Sequence, residues 1–463
     1  MLRRTIVVTC GLIAVTVGPA IADACGTAPS LNPPTFGTPL LIDGTLAGGE
    51  PSIQPLADGG LLYASHAGTT HLYKPPTDPH DPSGWATTYS GSINTWRSDD
   101  DGATWQPVPL LEQETGRSLP IGFSDPSTAV DRAGNVYLSA IDTATVYVGR
   151  SVDGRSFTGN KLASFNMDRE WLAADEDGVV YMIATPMYVP WPDPSGPGVS
   201  QAGRVLWRST TGGEDWEEML GRALPGNGSS SPIAINPVDG SLWWPATVYS
   251  DHYSPSDVLE WPNARSGDLD TVIEHQVVNG LPHRGGFFNA SAFDDAGNHY
   301  IAWNTDGSVG IEFSDDGGAT YTRSTIATTS KLIRWPWVTA GKDGRVAVAW
   351  LERTNASQAW RVRVAVTRTG HGWINACGTE KLPAWTTVTA TQSPIHTGYI
   401  CETGLSCNTQ TGTAGDRRLG DYFTIAVDGD GQLVIAYGDT SHDPDAAVSH
   451  PAFVRQVEGF RLR

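Results

Sequence analysis

Seven times along this chain, charged or hydroxyl-bearing residues stand at the head of a short apolar strand. They are Glu50, Asp125, the run Asp168-Arg169-Glu170, Ser230-Ser231, Arg284, Arg334, and Asp421-Tyr422 with Arg417 and Arg418 upstream. Carboxylates can carry protons, and guanidinium groups can hold a planar anion in fixed geometry. Charges that flank strands also serve as solvated rim residues or tie neighbouring sheets together. Recurrence at one structural position is what singles this set out. If the seven positions converge, they crowd mixed charges at the mouth of one cavity, which suits a polar or anionic small molecule.

The elements that must bring them together are legible as a repeat. Each copy is an apolar strand, a turn containing Asp and Gly, and a second apolar strand, as in Pro126 to Ala140 and Tyr422 to Tyr437. The other copies are Pro51 to Ser65, Glu170 to Thr185, Pro232 to Thr247, Asn289 to Trp303 and Trp337 to Trp350. Their turn glycines are Gly59, Gly134, Gly178, Gly240, Gly297, Gly344 and Gly431. Recurring β-units of this kind predict an all-β propeller of seven four-stranded blades around one axis, with a six-bladed ring as the alternative count. Closure of the ring needs both chain ends in one blade. A strand at Ala452 to Val457 and the segment Thr35 to Ile42 are the expected contributors.

A second repeat marks the outer hairpins. Ser98-Asp99-Asp100-Asp101-Gly102-Ala103-Thr104-Trp105 and Ser314-Asp315-Asp316-Gly317-Gly318-Ala319-Thr320-Tyr321 share the template Ser-x-Asp-x-Gly-x-Thr-aromatic. Degenerate copies run from Ser151 to Phe157, Ser209 to Trp216 and Thr367 to Trp373. The Asp side chain accepts hydrogen bonds from the amides ahead of it, and the Gly supplies a conformation that a Cβ would penalise. These residues resemble the Asp box of the sialidase-like (BNR/Asp-box repeat) β-propeller superfamily, in which the box is a structural hairpin on the face away from the active site. Asp100 and Asp316 are therefore read as fold determinants.

That resemblance implies roles for part of the charged set. The family holds its substrate carboxylate with three arginines, attacks with a Tyr assisted by a Glu, and uses an Asp as acid/base. By blade order Arg284 and Arg334 resemble the second and third arginines. Tyr422 falls where the nucleophile belongs, Glu170 is the candidate assisting Glu, and Asp125 the candidate acid/base. The family's first arginine, in an Arg-Ile-Pro motif, has no counterpart. Gly49-Glu50-Pro51-Ser52-Ile53 puts a carboxylate in its place, where Glu50 would repel an anionic sugar unless Arg169 or Arg418 compensates. Asp421, beside Tyr422, would neutralise an arginine of the set. Sialidase catalytic domains have six blades, so a count of seven is a further departure.

Composition sets the outer bounds. The chain has 463 residues and a formal net charge of −20, which argues against nucleic acid or an anionic membrane as partner. Arg3 and Arg4 precede an apolar run from Ile6 to Val17, so residues 1–24 read as a secretory signal peptide and residues 25–463 as a single exported domain, extracellular or periplasmic. No later stretch is apolar and long enough to span a bilayer. Of the five cysteines, Cys25, Cys377, Cys401 and Cys407 lie beyond the leader. Two disulfides are expected, with Cys401 and Cys407 able to close a small loop and leave Cys25 for Cys377. No dinucleotide fingerprint, phosphate loop, nucleophile elbow or metal-ligand spacing occurs, so no cofactor and no metal is expected. The long upper insertions carry Tyr73, Trp85, Tyr188, Trp191 and Tyr399, flat faces that suit sugar rings and also anchor loops.

Two readings follow. The first is a secreted, monomeric, exo-α-sialidase-like glycoside hydrolase acting on a terminal acidic sugar. The second is a non-catalytic extracellular propeller that binds a glycan or a protein through the same funnel.

Overall fold

In a computed structural model, the described residues are 25–463 apart from 69–71, 74–84, 87–91, 113–115, 117–121, 142–145, 163–166, 187–204, 220–230, 246–256, 269, 278–288, 354–357, 402–415 and 445. They form seven sheets of four or five strands, antiparallel except where Leu110–Glu112 pairs in parallel with Phe157–Leu162, together with two small two-stranded sheets. The innermost strands are Ser52–Pro55 (blade 1), Ser124–Val130 (blade 2), Met167–Ala174 (blade 3), Ala234–Ile235 (blade 4), Ser291–Phe293 (blade 5), Ile333–Ala340 (blade 6) and Thr424–Val427 (blade 7). Each packs beside the next, and the last packs beside the first, so the ring closes. The count is seven.

Closure uses both ends of the chain. In blade 7 the third strand, His450–Glu458, pairs with Leu433–Asp439 on one side and with Thr35–Phe36 and Leu40–Leu41 on the other. The N-terminal segment thus covers an edge that would otherwise expose unpaired backbone groups. A disulfide joins Cys25 to Cys377 on blade 6, with Cα atoms 5.0 Å apart. Cys401 is also disulfide-bonded, while Cys407 lies outside the described residues.

The second strand of each blade is almost wholly buried, as in Leu61–Ser65, Val136–Ile141 and Val346–Arg353. Both of its faces lie against neighbouring blades, which is why these segments read as continuous apolar runs. Trp243, Trp244, Trp303, Trp335 and Trp350 are buried between blades, as their strand positions suggest.

The Asp boxes form as drawn from sequence. Asp100 Oδ1 accepts from the Thr104 amide at 2.8 Å, Asp100 Oδ2 from the Thr104 hydroxyl at 2.6 Å, and the Gly102 amide donates to Ser98 Oγ at 2.8 Å. Asp316, Thr320, Gly318 and Ser314 repeat the pattern. Each box joins the third and fourth strands. Arg97, at the end of the third strand of blade 1, pairs with Asp58 in the turn after the innermost strand. Boxes and turns therefore share the lower face, and every innermost strand starts on the upper one.

Candidate functional site

The heads of the innermost strands are irregular, and their irregularity is the first sign of a site. Glu50, Asp125 and Arg169 adopt φ of 47°, 54° and 57°, and Trp335 adopts 53°. None is glycine, and a left-handed backbone carries a steric cost for a residue with a Cβ. Three of these residues sit at breaks in strand register, between Ser124 and Ser127, Asp168 and Trp171, and Arg334 and Trp337. Bulges of this kind re-aim side chains. One consequence corrects the sequence picture: Asp125, Asp168-Arg169-Glu170 and Arg334 lie inside the first residues of their strands rather than ahead of them.

The re-aimed side chains of blades 1, 2, 3 and 7 meet. Arg169 donates through Nη1 to Glu50 Oε2 at 3.0 Å and to Asp125 Oδ2 at 2.9 Å, and through Nη2 to Asp421. Arg417 holds the other side of Asp421, with Nη2 3.1 Å from Oδ2. His66, which follows the second strand of blade 1, brings Nε2 within 2.9 Å of Glu50 Oε2 and 3.5 Å of Asp125 Oδ1. All six of these residues are buried. Asp168 is partly exposed. Gly420 has to be glycine: it is left-handed, and a Cβ there would run into the Glu50 side chain.

The site divides its protons unevenly. Burial raises the Asp125 carboxyl, but Arg169 and His66 overcome that and hold it well below the usual range. Burial acts to lower His66, yet Glu50 and Asp125 lift it to about 9, so it is a cation at neutral pH. Asp168 is pushed up to about 7 by burial and by Asp125, to which it is hydrogen-bonded. Glu170 is driven well above the carboxylate range by burial, with Asp125 adding to it. Its two carboxyl oxygens have no hydrogen-bond partner.

Below the ion cluster the axis is closed by aromatic rings. Tyr422 of blade 7 packs against Trp171 of blade 3 at 5.1 Å and Trp337 of blade 6 at 5.8 Å, and those two rings lie 5.8 Å apart. Tyr422 is 1% exposed, and its hydroxyl donates to the Pro126 carbonyl at 3.1 Å. Burial, together with Glu50 and Asp125, raises its phenol well above 10. No hydrogen bond joins it to the Glu170 carboxyl.

Arg334 and Arg418 make their contacts away from this cluster. Arg334 donates to the Ile333 carbonyl at 2.7 Å and to Asp306 of blade 5 at 3.4 Å. Arg418 is held on the rim of blade 7 by Asp416 and by the carbonyls of Pro444 and Ala446. Arg284, Tyr188 and Trp191 lie outside the described residues. Tyr399 is 59% exposed, with the Arg353 guanidinium over its ring at 5.1 Å.

Two members of the cluster escaped sequence reasoning as site residues. His66 carries no motif, and its one signal is position, directly after a strand that ends on the upper face. Arg417 was legible only as an upstream neighbour of Asp421. Among the described residues, Glu50, His66 and Asp125 are the group whose ligand atoms lie close enough, within 4.8 Å, to share a metal ion. Arg169 Nη1 already bridges Glu50 and Asp125, so a divalent ion there would face a guanidinium.

No protein-family model and no curated protein matches the sequence. Among solved structures, the chain is similar to a protein of unknown function from Dyadobacter fermentans DSM 18053, at 13% identity over 92% of this chain and 99% of that one, with a TM-score of 0.47. It is similar to the NanB sialidase from Streptococcus pneumoniae at 15% identity, covering 91% and 71% of the two chains with a TM-score of 0.43. The α-L-arabinofuranosidase Arb93A from Fusarium graminearum shares 13% identity over 94% and 98%, with a TM-score of 0.41. The architecture is a seven-bladed β-propeller with Asp-box hairpins. That statement rests on the strand pairing, the ring closure and the Asp-box hairpins of this chain, since likenesses this distant carry nothing about chemistry.

Proposed function

We propose that this chain is an exported, non-catalytic glycan-binding propeller whose ligand sits in the upper axial funnel, over the Glu50–Arg169–Asp421 cluster. The observation that carries the reading is the engagement of both terminal nitrogens of Arg169 by carboxylates. A guanidinium shared among Glu50, Asp125 and Asp421 has little left for a substrate carboxylate. The buried Tyr422 phenol, held on the Pro126 carbonyl and away from Glu170, supports it from the side of the nucleophile. Three strained residues aimed at one point support a site of some kind, because such strain persists where the surrounding structure enforces it. The glycan part of the reading rests on the Asp-box resemblance, and exposed Tyr399 offers a ring face on the same side of the ring. Export is supported by the leader-like residues 1–24 and by the Cys25–Cys377 disulfide.

A second reading, a glycoside hydrolase, is favoured by one observation. Asp125 is held low while Asp168 is pushed up to about 7, the kind of split that separates a base from an acid. The two carboxyls are hydrogen-bonded, however, whereas a retaining pair stands about 5 Å apart to admit the glycosidic bond. A proton shared within the pair fits that contact better. Testing is direct: residues 25–463 are offered a glycan array and, in parallel, a panel of fluorogenic glycosides that includes a sialoside. The reading expects binding without turnover. Turnover that Tyr422→Phe abolishes would establish the sialidase-like mechanism instead.

A further inference from the structure

We infer that the funnel selects a glycan bearing a free ammonium group, seated against the carboxyls of Asp168 and Glu170. This rests on the reading that the funnel holds a glycan, and it names the class.

Five carboxyl side chains, those of Glu50, Asp125, Asp168, Glu170 and Asp421, lie in electrostatic reach of one another around Arg169. Against them stand three cationic groups, His66, Arg169 and Arg417. The ion pairs account for three of the acids: Glu50 and Asp125 with His66 and Arg169, and Asp421 with Arg169 and Arg417. Asp168 and Glu170 form no ion pair among the described residues. Fully ionised, the cluster would carry two more negative than positive charges, and the excess belongs to these two.

Glu170 supplies a second, independent observation. It is 1% exposed, and neither carboxyl oxygen has a hydrogen-bond partner. Buried polar groups in folded proteins are nearly always satisfied, so an orphaned carboxyl beside a funnel is a vacant acceptor. Asp168, two residues earlier on the same bulged strand, is the partly exposed acid of the cluster. An ammonium offers three donors with no fixed plane, which suits two carboxyls that are not arranged as a fork. An anionic sugar would instead find Arg169 already engaged and would bring negative charge to two carboxyls whose own ionisation burial and the neighbouring acids already oppose.

The test is calorimetric titration of residues 25–463 with a glucosamine tetramer, its fully N-acetylated counterpart and sialyllactose, in wild type, Asp168→Asn and Glu170→Gln. The expected result is binding of the glucosamine tetramer about tenfold or more tighter than the acetylated one. Both substitutions should remove that preference, in proteins whose circular dichroism matches wild type, and added salt should weaken it. Equal binding of the two tetramers, or tighter binding of sialyllactose, overturns the inference while the glycan reading stands. Failure of folded wild type to bind any glycan overturns both. Calcium chloride titrated alone is the control arm: saturable binding of the ion that Asp168→Asn abolishes, without preference between the tetramers, assigns the excess charge to a metal and overturns the inference.

Discussion

Arg169 and Asp421 are 252 positions apart in the chain and form a buried ion pair at the propeller axis. The pair joins blade 3 to blade 7, and through Glu50 and Asp125 the same guanidinium also reaches blades 1 and 2. Four blades thus share one cation, which makes Arg169 both the electrostatic centre of the funnel and a clamp on the ring.

Removing that cation leaves three buried carboxylates without their main partner. Arg169→Met is therefore expected to destabilise the protein by about 3–5 kcal/mol in urea unfolding. Arg169→Lys should recover little of the loss, because a single ammonium cannot replace a planar fork with several donors. A cost below about 1 kcal/mol for Arg169→Met would mean that the cluster is solvated and the clamp idle.

His66 gives the ring a stability that depends on pH at the alkaline side. The folded protein keeps the imidazole proton up to about 9, whereas the unfolded chain releases it near 6.5. The contribution is complete below pH 6.5, declines as the pH rises, and is lost beyond about 9. In a series of thermal melts from pH 6 to pH 10, wild type should lose its advantage over His66→Gln across that window. A difference that stays constant with pH would contradict a charged His66.

How far these residues were readable from sequence depends on whether chemistry or geometry marks them. The seven turns were legible because each carries a glycine with positive φ, such as Gly134 and Gly431, between apolar runs. The Asp boxes were legible because Ser, Asp, Gly and Thr each make a local hydrogen bond at fixed spacing. The left-handed turns at Glu50, Asp125 and Arg169 were not, since no glycine announces them and tertiary contacts impose the conformation. His66 was missed for the same reason: its partners, Glu50 and Asp125, reach it through the closed sheet and the adjacent blade. Arg334 and Arg169 look alike at the heads of their strands, yet one turns to Asp306 and the other to the axis. Blade order alone does not separate them.

Asp168 responds to pH in the opposite sense. Its carboxyl titrates near 7 in the folded protein and ordinarily at 3.8, so ionising it above neutrality works against folding. Asp168→Asn fixes the neutral form. It should raise the unfolding free energy at pH 8 by about 1–3 kcal/mol and leave it nearly unchanged at pH 3. The same titration bears on ligand: with Glu50, His66, Asp125, Glu170, Arg417 and Asp421 all facing Arg169 and Asp168, loss of the Asp168 proton adds negative charge, so a glycan carrying an aminoalkyl group, whose ammonium stays charged to pH 8, should bind more tightly at pH 8 than at pH 5.5. Tighter binding at the lower pH would contradict this.

Asp294 predicts a purely structural effect away from the funnel. Its carboxylate accepts from the Asn298 amide and side chain, from the Tyr300 hydroxyl at 2.8 Å, and from the Gly344 amide of the next blade at 2.8 Å. Asp131 repeats the arrangement with Asn135, Tyr137 and Gly178. Asp294→Ala leaves several buried donors unmet, and a loss of about 1–3 kcal/mol is expected. Glycan affinity measured on the folded variant should be unchanged.

The most direct test concerns Tyr422. Its ring plugs the axis and its hydroxyl is tied to Pro126, so Tyr422→Phe should cost about 0.5–1.5 kcal/mol of stability. Wild type and Tyr422→Phe, titrated side by side with the best ligand of the array while released sugar is monitored, should bind equally and release nothing. Sugar release by wild type that disappears in Tyr422→Phe would contradict the account.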